Sequence, residues 1–174
     1  YPRQKKVVWT PELAYAVGLI TTDGCLYSDG RHFDFTSKDR ELILTFKKCL
    51  GLTNKIGRKK NSLGMNYHRV QFGNVTLYRW LVQIGLMSNK SKRLGALRIP
   101  ACYFPHFLRG HLDGDGTIRR YFDPVYPKSI RLYTIFLSAS LNHLKWLRKR
   151  VKQLWGLNGF FRTAPGVHVL TFGK

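Results

Sequence analysis

The chain has 174 residues, 44% of them hydrophobic and 14% aromatic, which is enough apolar material for one large core or two small fused cores. Its 30 Lys and Arg residues against 9 Asp and Glu residues give a net charge of +21 at pH 7, which indicates a polyanionic partner. The basic residues run through the whole chain rather than along one amphipathic helix, and this favours nucleic acid over a membrane surface.

The sequence also excludes several other classes of protein. Three cysteines without CxxC spacing argue against a disulfide framework and against a structural zinc site. No apolar run approaches the ~20 residues that span a bilayer, and residues 1–10 lack the apolar core of a signal peptide. We therefore expect a soluble intracellular protein without a membrane partner or a small-molecule substrate.

The first half of the chain predicts a helix, a hairpin, a second helix, a second hairpin and a closing helix. The first helix is apolar and ends in Asp-Gly, and the alternating segment after it predicts a strand with Phe33 and Phe35 facing the core. Gly51 is placed to cap the second helix at its C-terminus. In chain order, the segments that carry these predictions are 13–24, 31–38, 39–50, 68–74 and 75–85.

The second half repeats the same phrases in the same order, which indicates a duplicated unit. The repeated segments are 104–116, 131–140, 141–155 and 168–174. In this alignment Ile135 and Leu137 match Phe33 and Phe35. The sequence therefore predicts a first unit at 1–88, a linker at 89–102 and a second unit at 103–174. The second unit ends where its closing helix would begin, so a truncated sequence and a unit without that helix both remain open.

Each of the two Asp-Gly helices carries small residues along one face. Positions four apart share a helix face. In the first unit they are Ala14, Gly18 and Thr22, all of them small, and in the second they are His106, Gly110 and Gly114, small at the two positions nearest the Asp. Glycine inside a helix costs about 1 kcal/mol relative to alanine, so its use in both units indicates close contact between two helices. We expect the helices to pack together and to bring Asp23 and Asp115 together at their C-terminal ends.

Two carboxylates at neighbouring helix C-termini are unfavourable by themselves, because they oppose the helix dipoles and repel each other. A hard divalent cation reverses both effects and takes ligands from one or two carboxylates, water and phosphate. A single Asp-Gly pair is more often a simple helix-exit turn. Its duplication in a chain with only 9 acidic residues instead predicts that Asp23 and Asp115 bind Mg²⁺, with Mn²⁺ or Ca²⁺ able to occupy the same sites.

The segments AVGLITTDG (16–24) and LRGHLDGDG (108–116) resemble the signature of the LAGLIDADG homing endonuclease family. The resemblance covers nearly the whole chain, and two copies at this spacing match the single-chain, two-motif form. It implies an α+β fold of tandem pseudo-twofold αββαββα repeats. The signature helices would lie at the interface, and two antiparallel sheets would form a DNA-binding saddle.

The resemblance also implies a function. The protein would be a site-specific endonuclease that hydrolyses both strands of duplex DNA with divalent metal and leaves short 3′ overhangs. Asp23 and Asp115 would be the catalytic metal ligands, helped by the backbone carbonyls of Thr22 and Gly114. Two alternatives with the same fold remain open, namely an intron maturase and a sequence-specific DNA-binding protein that does not cleave.

The two units differ at positions that matter in the family. Thr21 replaces the first signature acid, which Asp113 keeps, and in the family this position mainly supports packing. Lys38 matches a basic residue near the family's active sites, and the resemblance makes it a third catalytic candidate. The aligned position in the second unit is Ser140, so a basic helper there would have to come from elsewhere. The candidates are Lys128, Arg119 and Arg120.

The outward faces of the predicted strands supply the candidate DNA contacts. Arg69 and Gln71 lie on such a face and suit bidentate recognition of guanine and adenine edges. In the first unit the predicted DNA-binding residues are His32, Asp34, Thr36, Lys38, Arg58, Arg69 and Gln71, and in the second they are Arg119, Thr134, Ser138 and Thr171. The expected partner is double-stranded DNA with a long, roughly asymmetric target site, bound by a monomer.

Overall fold

The chain folds as two successive units, described over residues 6–60, 62–122, 125–126 and 128–173 of a computed structural model. The outermost residues of the predicted units, 1–5 and 174, lie outside these ranges. The first unit consists of α1 (Pro11–Thr22), β1 (Gly24–Leu26), β2 (His32–Ser37), α2 (Arg40–Leu50), β3 (Gly57–Lys60), β4 (Asn66–Gly73) and α3 (Val75–Gln83). The second consists of α4 (Phe104–Asp115), β5 (Gly116–Phe122), β6 (Ile130–Ser138), α5 (Leu141–Trp155), β7 (Phe160–Ala164) and β8 (Val167–Gly173).

Local signals in the sequence define the ends of the equivalent helices α2 and α5. The side chains of Asp39 and Ser140 accept backbone N–H hydrogen bonds at the helix N-termini. Gly51 and Gly156 end the helices in the left-handed conformation, with φ of 62° and 69°, which confirms the cap predicted at Gly51 and shows the same cap in the second unit. Because Asp39 and Ser140 are equivalent N-caps, the residue equivalent to Lys38 is Ala139 and not Ser140 as aligned from the sequence.

The strands form two four-stranded antiparallel sheets with orders β1-β2-β4-β3 and β5-β6-β8-β7. Gly24 pairs with Phe35 in the first sheet and Gly116 pairs with Phe136 in the second, so Phe136 is the equivalent of Phe35. The alignment that matched Phe35 to Leu137 is therefore wrong by one residue. β6 is apolar on both alternating faces, so its period could not show which face is buried.

A single hydrophobic core runs through both units. In the first unit Phe35 stacks on Phe46, with ring centroids 4.3 Å apart, and in the second Phe107 meets Trp146 at 5.8 Å. Residues 84–100, between α3 and a short 3₁₀ turn, contain no helix or strand but contribute five core leucine and isoleucine side chains. These are Ile84, Leu86, Leu94, Leu97 and Ile99, each at most 6% exposed. The predicted linker is thus partly a core element.

Helices α1 and α4 pack against each other through their small residues, as predicted. A Cβ atom at Gly18 would overlap the backbone of α4, and one at Gly110 would overlap the backbone of Tyr15. A Cβ atom at Gly114 would meet the side chain of Thr22. Within the described ranges, none of the helices is long and apolar enough to cross a membrane.

The substitution Gly110→Ala tests this close approach. Alanine gains about 1 kcal/mol of helix propensity, but its methyl group would overlap backbone atoms that cannot rotate away. We expect the free energy of unfolding in urea to fall by about 1–3 kcal/mol. Gly95→Ala is the matched control because a Cβ there meets nothing within 4 Å, and its effect should stay within about 0.5 kcal/mol. Equal unfolding midpoints for the two variants would contradict the close helix contact.

Candidate metal and nucleic-acid site

The two signature aspartates lie at the C-terminal ends of the paired helices. Asp23 caps α1, and its N–H donates to the carbonyl of Leu19 at 3.0 Å, while Asp115 is the last residue of α4. Asp23 is half-buried, and burial together with the negative charge of Asp115 raises its pKa to about 6. Asp115 is more exposed, but protein atoms beneath it partly desolvate the carboxylate and raise its pKa as well. The two carboxylates therefore share one electrostatic environment.

A lysine from the connecting segment completes this cluster. Lys90 is only 7% exposed, and its ammonium donates hydrogen bonds to the carbonyl oxygens of Thr22, at 3.4 Å, and of Gly24. Its positive charge lowers the pKa of both Asp23 and Asp115 and partly offsets their desolvation. Burial in turn lowers the pKa of Lys90 itself. The sequence does not distinguish Lys90 as a site residue, because Lys92 and Arg93 follow it closely and no motif marks one of the three.

The oxygen atoms at this cluster suit a hard divalent cation. Two carboxylates with raised pKa values and one buried ammonium leave the site short of positive charge. The carbonyl of Thr22 already accepts from Lys90, although a carbonyl oxygen has a second lone pair. Across the part of the chain that the structure describes, no three His, Cys, Asp or Glu side chains gather as a metal cluster. The two carboxylates and the nearby carbonyl oxygens fit a cation that takes its remaining ligands from water and phosphate.

The predicted helper Lys38 has a different environment from Lys90. Its Nζ atom lies over the ring of Tyr67, 5.6 Å from the centroid, on the outer face of the first sheet. The charges that act on the pKa of Asp23 are those of Asp115 and Lys90. Lys90 is thus the basic residue that the structure brings to the two aspartates.

Two buried side chains of the second unit hold the segment that carries Lys90. Ser140 Oγ donates to the carbonyl of Leu94 at 2.5 Å, and His143 Nδ1 donates to the carbonyl of Gly95 at 3.0 Å. The Nε2 atoms of His143 and His111 are 3.1 Å apart. Because His143 donates through Nδ1, its Nε2 accepts from His111, and both rings are neutral. The hydrogen bonds thus join the connecting segment to α5 and α4.

The buried histidine pair makes the folded protein sensitive to acid. Burial lowers the pKa of His111 to about 3 and that of His143 to about 4. Unfolded histidines titrate near about 6.5, so below that pH the unfolded chain binds more protons and stability falls, until the folded pKa values are reached. We expect the two histidines to lower the free energy of unfolding by about 2–4 kcal/mol between about pH 7 and about pH 5, while the raised pKa of Asp23 offsets about 1 kcal/mol of this drop. Urea titrations at both pH values measure the drop.

The double variant His111→Leu, His143→Gln is the control for this pH effect. Glutamine retains an N–H donor for the carbonyl of Gly95, and leucine fills the apolar surroundings of His111. We expect the variant to lose clearly less stability than the parent protein over the same pH interval. An equal loss in both proteins would assign the acid sensitivity to other groups.

The first signature acid acts in the helix interface. The hydroxyl of Tyr15 on α1 donates to Asp113 Oδ2 on α4 at 2.8 Å, and Arg109 lies 3.8 Å from the same oxygen. Thr21, which replaces this acid in the first unit, donates to the carbonyl of Val17 at 2.7 Å and is buried. Both contacts fit the packing role that the resemblance implies for this position.

The outer face of the first sheet carries a connected polar network. Asp34 is 5% exposed and pairs with Arg69, whose Nε and Nη2 atoms lie 2.8 and 2.7 Å from Oδ2. The hydroxyl of Tyr27 accepts from Arg69 at 3.0 Å and from Gln71 at 3.2 Å, and Thr36 donates to Asp34 at 3.2 Å. The structure therefore brings four predicted DNA-binding residues together on one face.

Two further predicted residues of the first unit lie apart from this network. His32 Nδ1 is 2.5 Å from Asp29, at one end of β2. Arg58 pairs with His68, whereas Lys59 pairs with Tyr67 on the same face as Arg69. Since neighbouring residues of a strand point to opposite faces, Lys59 lies on the outer face and Arg58 on the other, and DNA binding by Arg58 stays a prediction.

In the second unit the register separates the four predicted residues. Thr134 pairs with the core residue Phe172, and Ser138 pairs with His168 on the same inner face. The prediction that placed Thr134 and Ser138 on the outer face is therefore wrong, for the same one-residue shift noted above. Thr171 and Arg119 do lie on the outer face, with Thr171 mostly covered and Arg119 exposed.

Comparison with known proteins gives a consistent fold. Neither a protein-family model nor a curated protein matches the chain. Among solved structures, it is similar to full-length DUF199/WhiA from Thermatoga maritima, with a TM-score of 0.62 and 16% identity over 98% of this chain and 54% of that one. It is also similar to the homing endonuclease I-WcaI bound to its DNA recognition sequence, with a TM-score of 0.61 and 15% identity over 99% of this chain and 83% of that one.

A third similar structure is I-DmoI in complex with DNA and Mn, with a TM-score of 0.56 and 19% identity over 93% of this chain and 89% of that one. Two helix-and-hairpin units joined through paired Asp-Gly helices define a duplicated α+β protein. The chain has the LAGLIDADG fold, as the sequence predicted. It spans about half of full-length WhiA, so this fold is shared with proteins that carry additional domains.

Proposed function

We propose that the protein is a site-specific, metal-dependent endonuclease that cuts both strands of duplex DNA and leaves short 3′ overhangs. The observation that carries this proposal is the cluster of Asp23, Asp115 and Lys90 at the ends of the paired helices. Carboxylates with raised pKa values next to a buried lysine are typical of a catalytic site. A purely structural interface would not need two partly desolvated acids at equivalent positions.

In this proposal Asp23 and Asp115 hold divalent metal, Mg²⁺ or a similar hard cation, with the backbone carbonyls of Thr22 and Gly114 as further oxygen donors. Bound metal supplies Lewis-acid stabilisation of the scissile phosphate and lowers the pKa of water. The ammonium of Lys90 stabilises negative charge that develops on the phosphate, because it is held beside both carboxylates. Lys38 would lie toward the flanking DNA backbone.

The outer faces of the two sheets would contact the DNA as a saddle on both sides of this cluster. A net charge of +21 supplies phosphate attraction, and a two-stranded ribbon fits the major groove. In this proposal the first unit comprises residues 1–88, the linker residues 89–102 and the second unit residues 103–174. The protein would act as a monomer, since both aspartates come from one chain. DNA-bound relatives such as I-WcaI and I-DmoI support duplex DNA as the partner.

A direct test is to incubate the purified protein and Mg²⁺ with a library of randomised duplexes and to sequence the cut ends. We expect enrichment of a single asymmetric sequence, cut on both strands and dependent on the metal. A duplex that is selectively bound but never cut would instead support a non-cleaving DNA-binding protein, a role that remains open because WhiA shares the fold. Absence of both binding and cutting would reject the proposal.

A further inference from the structure

The outer faces of the two sheets differ in chemistry at equivalent positions. The equivalence of Phe35 and Phe136 makes Ile135 the counterpart of Asp34. Val70 pairs with Phe35 and Leu170 pairs with Phe136, and therefore Val169 is the counterpart of Arg69. The ion pair at the centre of the first face is thus replaced by two aliphatic side chains in the second.

These aliphatic side chains form the floor of a groove of about 530 Å³ on the second sheet. Ile135, Leu137 and Val169 are half-buried on the floor, and Tyr121 and Phe160 project along the walls with 47% and 49% exposure. Arginines stand around the groove, and no carboxylate lines it in the part of the chain that the structure describes. The surface therefore offers apolar contact inside and positive charge around it.

The position and charge of the groove favour DNA over a second copy of the chain. Its lining begins at Thr117, two residues after Asp115, so the groove continues from the candidate metal site. Its lining includes Arg119 and Arg162, and the whole chain carries +21, so two copies placed face to face would repel each other. The same charges attract phosphates on either side of a DNA groove.

The only methyl group on the major-groove edge of the standard base pairs is the C5-methyl group of thymine. Ile, Val and Leu side chains can bury this methyl, and a G·C pair offers no equivalent group. We propose that the groove on the second sheet recognises thymine methyl groups in one half of the target, through Ile135 and Val169. The inference rests on the proposed DNA-binding function. The other half-site, next to Asp34 and Arg69, is read by polar contacts.

Replacing thymine by deoxyuracil removes only the methyl group, so it gives a direct test. The affinity of the protein for the target selected from the library is measured without divalent metal, so that the DNA is not cut. The measurement is repeated with each thymine replaced in turn by deoxyuracil. We expect about fourfold weaker binding for each contacted methyl, which corresponds to about 0.8 kcal/mol, and we expect these positions to lie in one half-site. In the double variant Ile135→Ala, Val169→Ala, thymine and deoxyuracil should bind equally.

Leu132→Ala is the matched control, because Leu132 is 55% exposed on the opposite face of the same strand and should leave the methyl effect unchanged. If the protein selects a target but deoxyuracil weakens binding in neither half, this inference fails while the proposed function stands. A methyl effect that persists in the double variant also overturns it. The inference also fails if the protein sediments as a dimer and the double variant sediments as a monomer, because the groove would then be an interface between two copies of the chain. If no duplex is selected, the proposed function fails as well.

Discussion

Asp23→Asn and Asp115→Asn are each expected to abolish double-strand cleavage while DNA binding persists. Asparagine keeps the size of the side chain and one oxygen, but it removes the charge that binds a divalent cation. Loss of one catalytic electrostatic group typically costs about 10²–10³ in rate, and we expect at least that loss here. Binding should survive because phosphate contacts across a chain of charge +21 supply much of the affinity.

The measurement is linearisation of a plasmid with the selected target, alongside gel-shift binding of the same sequence. Asp113→Asn is the matched control because it lies on the same helix, and its amide oxygen can still accept from the hydroxyl of Tyr15. Its cleavage rate should stay within a small factor of the parent rate. Linearisation at the parent rate by either Asp23→Asn or Asp115→Asn would remove that residue from the catalytic site.

The sequence predicted the architecture because its strongest signals are local and occur twice. Each of these signals determines a local structure. Asp-Gly after an apolar helix marks the end of that helix, a glycine after each second helix caps it, and small residues four apart allow two helices to come close. Gly18 and Gly110 illustrate this, since the contact that their spacing predicted is present with backbone against backbone. The pairing of Asp23 and Asp115 followed from the same contact.

The details that failed depend on long-range register. In β6, with the sequence IRLYTIFLS, apolar residues occupy both alternating faces, so the period of two cannot tell whether Phe136 or its neighbours are buried. The choice is made by pairing with β5, which begins directly after α4. Thr134 and Ser138 were therefore placed on the wrong face, and the apolar groove beside them was not foreseen.

Lys90→Met is expected to lower the cleavage rate by at least about 10²-fold. Methionine replaces the lysine stem with a side chain of similar length but leaves the carbonyls of Thr22 and Gly24 without their donor. It also removes the positive charge that lowers the pKa of Asp23 and Asp115, so both values should rise. More acid is then protonated at a given pH, and the acid limb of the residual pH–rate profile should move to higher pH.

Two comparisons separate this effect from simple unfolding. Lys92→Met changes an exposed lysine in the same segment and should leave both rate and pH profile unchanged. Urea titration of Lys90→Met reports how much stability is lost with the buried hydrogen bonds, and assays are done where the variant remains folded. If the folded variant cleaves at the parent rate, Lys90 contributes packing and hydrogen bonds beneath the aspartates but does not contribute to catalysis. A reduced rate with a shifted acid limb would show that the positive charge of Lys90 acts on the two aspartates, since a loss of packing alone does not remove the charge that lowers their pKa.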